Sequence, residues 1–123
     1  MKRLTVALLF LAAAFPTMAA QHIECRSIGG HHPYGRDISA ARYLRIYGTR
    51  MILTGRSGRH DMPRWSLPCA PTETGMFCSG RSRSKLVTIK TDGWQMKEMV
   101  YGRGYNNEIF HVVYNCNHEL VLP

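Results

Sequence analysis

The chain has 123 residues, 16 Lys+Arg against 8 Asp+Glu, a formal charge of +8, and four cysteines. A chain of this length has room for one hydrophobic core and not for two. No apolar run approaches the roughly 20 residues a helix needs to span a bilayer, which excludes a helical membrane protein.

Lys2 and Arg3 precede an apolar run over residues 4–15, broken only by Thr5; Pro16 ends it, and Thr17-Met18-Ala19-Ala20 follows. A basic start, a short apolar centre and a small-residue exit form the secretory pattern. Residues 1–20 are therefore expected to be a cleaved signal peptide, with residues 21–123 as a single domain delivered to the periplasm or secreted. No cysteine lies near the cut, so lipidation is not expected. Without residues 1–20 the chain keeps 14 Lys+Arg against 8 Asp+Glu, a charge of +6, and Arg outnumbers Lys 11 to 3.

All four cysteines, Cys25, Cys69, Cys78 and Cys116, lie beyond the cut. An even number in a small exported chain implies two disulfides, and no pair has the two-to-four-residue spacing of a zinc knuckle. Cys69 and Cys78 flank the turn-forming Pro71, Thr72 and Gly75, which favours Cys69–Cys78 with Cys25–Cys116 among the three possible connectivities.

In chain order, residues 22–28 are expected to form a first strand and residues 37–42 a short helical turn, with Asp37 as N-cap. Residues 43–47 and 51–54 are apolar–polar runs separated by Gly48-Thr49, either a tight hairpin or one strand with a bulge. Residues 65–69 and 76–80 are two further strands. Residues 86–91 are rich in Val, Ile and Thr, and Asp92-Gly93 supplies a hairpin turn before Trp94, Met96, Glu98 and Val100 alternate with polar positions. A glycine-bearing loop at 102–108 leads to a last strand over 109–116. The expected fold is all-β: a small antiparallel up-and-down barrel or sandwich of about eight short strands with two disulfides. Closure of a barrel would set Cys25 beside Cys116.

Such a meander sends the connections at 29–41, 55–64, 81–84 and 102–108 to one end. These carry His31, His32, Arg36, Arg56, Arg59, His60, Arg81, Arg83 and Arg103. The opposite end receives Gly48-Thr49, residues 70–75 and Asp92-Gly93, with Glu73 and Asp92 and no Lys or Arg. The planar guanidinium pairs two-pronged with carboxylate, phosphate or sulfate, so Arg56, Arg59, Arg81, Arg83 and Arg103 are the candidate ligand-binding residues. Arg81, Arg83 and Lys85 alternate and would share one face of an extended segment. The expected partner is an anionic protein surface, envelope glycan or lipid head group; an inhibitor or immunity protein against an acidic toxin is a special case. Tyr34, Tyr101 and Tyr105 accompany the arginines as base-stacking residues would, but nucleic acid is not the expected partner of an exported chain.

The alternative function is a small secreted hydrolase acting on a phosphodiester or glycan through Glu98 or His111. Glu98 sits on an apolar face, where burial would raise its pKa and suit it to acid or base work. Alternation puts His111 opposite Phe110, Val112 and Tyr114. No nucleophile elbow or phosphate-binding glycine loop is present. His31-His32, with His22, His60 or His118, has no metal-ligand spacing, so neither a metal nor another cofactor is expected.

Overall fold

A computed structural model of the chain describes residues 21–31 and 39–122. The expected signal peptide and the expected Asp37 cap lie outside these residues, as do His32, Tyr34 and Arg36. Nine strands follow in order: β1 (Gln21–His31), β2 (Ala40–Tyr47), β3 (Arg50–Ser57), β4 (His60–Asp61), β5 (Trp65–Pro71), β6 (Met76–Ser82), β7 (Lys85–Asp92), β8 (Gln95–Tyr101) and β9 (Glu108–Cys116).

Every neighbouring pair is antiparallel, and two pairings close the sheet, β1 with β9 and β2 with β3. The result is a closed up-and-down barrel of eight strands, with β4 a two-residue spur on the end of β3. Closure leaves no long unpaired edge for another chain to extend. At eight strands the interior is just wide enough for side chains to fill it. Here alternation points Leu44, Ile46, Met51, Leu53, Met76, Val87, Ile89, Met96, Val100 and Val112 inward, all almost fully buried.

Both disulfides join residues directly opposite each other on neighbouring strands. Cys25–Cys116 ties β1 to β9 at the closing seam, and Cys69–Cys78 ties β5 to β6. This is the connectivity expected from spacing. Disulfides of this kind persist in an oxidising, extracellular-type compartment. Among the described residues no helix is long and apolar enough to cross a membrane.

Four two-residue turns connect strands, and each places its first central residue at positive φ: Gly48 (58°), Gly58 (62°), Arg83 (57°) and Gly93 (62°). Gly48-Thr49 is thus a hairpin and not a bulge. The last turn is displaced one residue from the expected Asp92-Gly93. Asp92 still pairs with Gln95, so the turn is Gly93-Trp94, and Trp94 is 57% exposed and not part of the apolar face of β8.

Two further expectations are corrected. Ala40, Ala41 and Arg42 are not helical; they begin β2, where Ala40, Arg42, Leu44 and Ile46 alternate inward and the Ala40 N–H donates to Ser27 Oγ at 2.9 Å. Nor do Arg81, Arg83 and Lys85 share an extended face. Ser82 pairs with Lys85, so the chain reverses at Arg83-Ser84 and Arg81 lies opposite Leu86.

Residues 117–122 fold back across the end of the barrel that carries the Gly93 turn. Asn117 exchanges bonds with Glu24, its N–H to the Glu24 carbonyl at 2.9 Å and its Oδ1 from the Glu24 N–H at 3.0 Å. The Leu120 N–H donates to the Gly93 carbonyl at 2.8 Å, the Thr91 hydroxyl donates to the Leu120 carbonyl at 3.2 Å, and the Leu120 side chain is fully buried.

Candidate binding surfaces

The alternating strand directions put the turns 58–59 and 83–84 and the loop 102–107 at the end of the barrel opposite the Leu120 closure. Arg59 and Arg83 are each central to a two-residue turn. Arg103 opens a single 3-10 turn ending at Tyr105, and Arg56 and Arg81 stand on the last outward positions of β3 and β6. All five are exposed. Arg56 Nη2 donates to the Arg59 carbonyl at 3.4 Å, and its Nε lies 3.8 Å from Asp61 Oδ1. The Arg81 guanidinium lies 5.2 Å from the centre of the Tyr105 ring. The end therefore carries five arginines, together with the carboxylates Asp61 and Glu108. The opposite end carries Glu73, Asp92 and Glu119, with Arg50 beside its turn bonded to Ser66.

Arg83 departs from the pattern of its own fold, since the other three equivalent turn positions are glycine. A side chain in the left-handed region costs about 1–2 kcal/mol, and such local strain concentrates at functional positions.

Glu98 and His111 lie on opposite sides of the sheet. His111 is outside, with Nδ1 2.9 Å from Glu108 Oε2. Glu98 is inside and fully buried, where its carboxylate receives four hydrogen bonds. Arg42 Nε and the Tyr114 hydroxyl donate to Oε1, each at 2.9 Å; Arg42 Nη2 and Trp65 Nε1 donate to Oε2 at 2.5 and 2.7 Å. Arg42 Nη1 donates to the Pro63 carbonyl at 2.7 Å, so the guanidinium is also engaged on three of its donors. Gly55, paired with Arg42 across β2 and β3, leaves room for the Arg42 side chain: a Cβ there would meet the Ala41 carbonyl at 2.3 Å and Arg42 Cδ at 2.9 Å.

Burial opposes the charge on Arg42, but the Glu98 carboxylate and its hydrogen bonds outweigh that and hold its pKa above the ordinary value. Burial, then the Glu98 charge, pushes the Tyr114 phenol up, so it remains a donor. A carboxylate saturated by four donors inside a packed barrel has no lone pair directed at a substrate. Of the two residues offered for the alternative hydrolase, Glu98 is thus engaged within the barrel and His111 stands apart from it on the outer surface.

This network was not foreseen as a unit, although its signal was present. Arg42 recurs on the face of Leu44 and Ile46 exactly as Glu98 recurs on that of Met96 and Val100, and two opposite charges on inward faces of different strands are expected to pair.

The outside of the barrel carries two larger concave surfaces that the sequence reading does not contain. One, of about 710 Å³, crosses β1–β3 and is lined by Tyr43, Arg45, Tyr47, His22, Arg64 and the carboxylate Glu24, among others. The second, of about 670 Å³, crosses β6–β8. Among the described residues no group of three or more His, Cys, Asp or Glu side chains could hold a metal ion.

Comparison with known proteins finds no matching family model, no matching curated protein and no matching solved structure. The class is set by the fold itself: a small, disulfide-bonded, closed antiparallel β-barrel of the kind that serves as an extracellular binding module.

Proposed function

We propose that the chain is exported by cleavage of residues 1–20, acts in the periplasm or outside the cell, and binds an anionic partner through Arg56, Arg59, Arg81, Arg83 and Arg103. The partner is an acidic protein surface, an envelope glycan or a lipid head group. The observation that carries the proposal is the strand order, which gathers the loops bearing these arginines at one end and leaves Glu73, Asp92 and Glu119 at the other. Guanidinium groups gathered at one end would steer an anion in and hold it through charge-assisted hydrogen bonds. The strained Arg83 turn supports the same assignment, because a cation is kept where the backbone favours glycine.

The test is retention of a partner from envelope extract by the oxidised protein. Screening shortens from about 10 Å at 0.1 M salt to about 3 Å at 1 M, so the partner is expected to be held at low salt and released at high salt. Replacing the five arginines with Gln should abolish retention. Arg83→Gly should weaken binding while leaving stability unchanged or raised by up to about 1 kcal/mol. Retention indifferent to salt, or unchanged in the five-fold variant, would remove the arginine end as the site.

A further inference from the structure

The concave surface across β6–β8 has two unlike walls. Register aligns three outward rows: Phe77, Lys90 and Lys97; then Ser79, Thr88 and Met99; then Arg81, Leu86 and Tyr101. The first and third rows stand four residues apart along each strand, about 13 Å. Between them the middle row forms the floor of a trough, with Thr88 and Met99 among its lining residues.

One wall carries a cationic pair beside the exposed Phe77 ring. Lys90 and Lys97 are directly opposite each other across β7 and β8, both exposed. Like charges so placed repel and destabilise the sheet. Neither makes a salt bridge among the described residues, and no carboxylate lines the trough. The other wall is apolar and aromatic, formed by Leu86, Tyr101 and Tyr105. The Tyr101 hydroxyl donates to Met99 Sδ on its own strand at 3.5 Å, which lays the ring back along the sheet. The surface across β1–β3 lacks this division, because Glu24 stands among its cations.

We infer that this trough binds an acidic saccharide, with its carboxylate or sulfate groups between Lys90 and Lys97 and its sugar rings against Tyr101 and Tyr105. The negative face of a tyrosine ring attracts the polarised C–H face of a pyranose, and an anion between the two ammonium groups relieves their repulsion. Thr88 adds a hydroxyl at the floor. Three strands at about 4.8 Å spacing give a platform about 10 Å across, suited to a short oligosaccharide lying across the strands. Single-stranded nucleic acid offers similar chemistry, but two disulfides suit an oxidising compartment, where acidic glycans are the available polyanions. The inference rests on Lys90, Lys97 and Tyr101; none of the five arginines lines the trough, and of them Arg81 meets its wall, over the Tyr105 ring.

The experiment is calorimetric titration of the full chain, disulfides intact, with a short oligogalacturonate, using a neutral oligosaccharide and oligothymidylate as comparators. Saturable binding is expected, weakened about tenfold or more by Lys90→Gln with Lys97→Gln, and likewise by Tyr101→Ala. It should be unaffected by combined Arg56→Gln, Arg59→Gln and Arg103→Gln. Lys97→Glu should raise the thermal midpoint, by converting a repulsive pair into an attractive one, while losing the saccharide. Absence of saturable binding, equal binding of the neutral sugar, or tighter binding of oligothymidylate would each overturn the assignment. So would loss of binding in the arginine variant alone, which would put the saccharide at the other site. A fall in midpoint for Lys97→Glu would overturn the repulsion on which the site is argued.

Discussion

Glu98→Gln tests whether the barrel interior is organised around one carboxylate. The side chain keeps its shape but exchanges one acceptor oxygen for a donor amide. Whichever way the amide turns, its NH₂ faces two groups that also donate: Arg42 Nε with the Tyr114 hydroxyl, or Arg42 Nη2 with Trp65 Nε1. The Arg42 charge is meanwhile left uncompensated at 0% exposure. Breaking a buried pair by removing one partner costs about 3–5 kcal/mol. A domain of about a hundred residues has only about 5–15 kcal/mol in total. Urea denaturation followed by tryptophan fluorescence reads the effect. With a slope near 2 kcal/mol/M, the midpoint should fall by about 1.5–2.5 M. Arg42→Met should cost a similar amount. The double variant Arg42→Met/Glu98→Leu should cost less than the sum, because no lone charge remains, yet still leave Trp65 Nε1, the Tyr114 hydroxyl and the Pro63 carbonyl without partners at about 1–3 kcal/mol each. A loss below about 1 kcal/mol for Glu98→Gln, or strict additivity in the cycle, would refute the reasoning.

Replacing Cys25 and Cys116 by Ala should lower stability by roughly 4.6 kcal/mol and replacing Cys69 and Cys78 by roughly 2.6, following the chain-entropy relation for loops of 91 and 9 residues; equal losses in chemical denaturation would contradict it. Leu120→Ala should cost about 2–5 kcal/mol by opening a cavity at the closed end, and a variant as stable as the parent would show that residues 117–122 do not seal the barrel. Because the folded chain holds the Tyr114 proton above the pH at which an unfolded tyrosine releases it, about 10, its contribution is complete below that pH and shrinks as pH rises further. The denaturation midpoint should therefore decline above about pH 10, and Tyr114→Phe, less stable at neutral pH, should decline more gently; parallel curves would assign the alkaline limb to other groups.

Much of the barrel was legible because its signals are local. The Val, Ile and Thr content of 86–91, the alternation of 109–116 and the glycines at positions 48 and 93 each act within a few residues, and a two-residue periodicity needs no knowledge of the partner strand. Cysteine spacing carried the connectivity for the same reason. Misreadings arose where a local preference yielded to closure. Ala40-Ala41-Arg42 has a helical composition, but β2 must pair on both sides along its length, and inward alternation starting at Ala40 decides the matter. At Arg83 no Gly or Asn announces a turn, so the local pattern is that of an extended segment; the flanking register imposes positive φ on an arginine instead. The Glu98 cluster escaped because its members come from β2, β5, β8 and β9, and only the curvature of the sheet makes them neighbours. The trough across β6–β8 was hidden similarly, since the opposition of Lys90 and Lys97 depends on the length of the turn between their strands.

The bridge between Cys25 and Cys116, 91 residues apart, has a consequence for survival among proteases. It turns nearly the whole barrel into a covalent ring, and exposed turns are where nicking concentrates. A single cut at any turn between the two cysteines leaves one connected molecule, held further by the strand pairing on either side of the cut. Such a clipped protein would migrate at full mass until reduced and would keep its outer surfaces in register. Gln21, paired with Ile46 beside the Gly48 turn, and the Leu120 closure lie at the same pole, so a clipped molecule would stay tied there on both sides of the bridge.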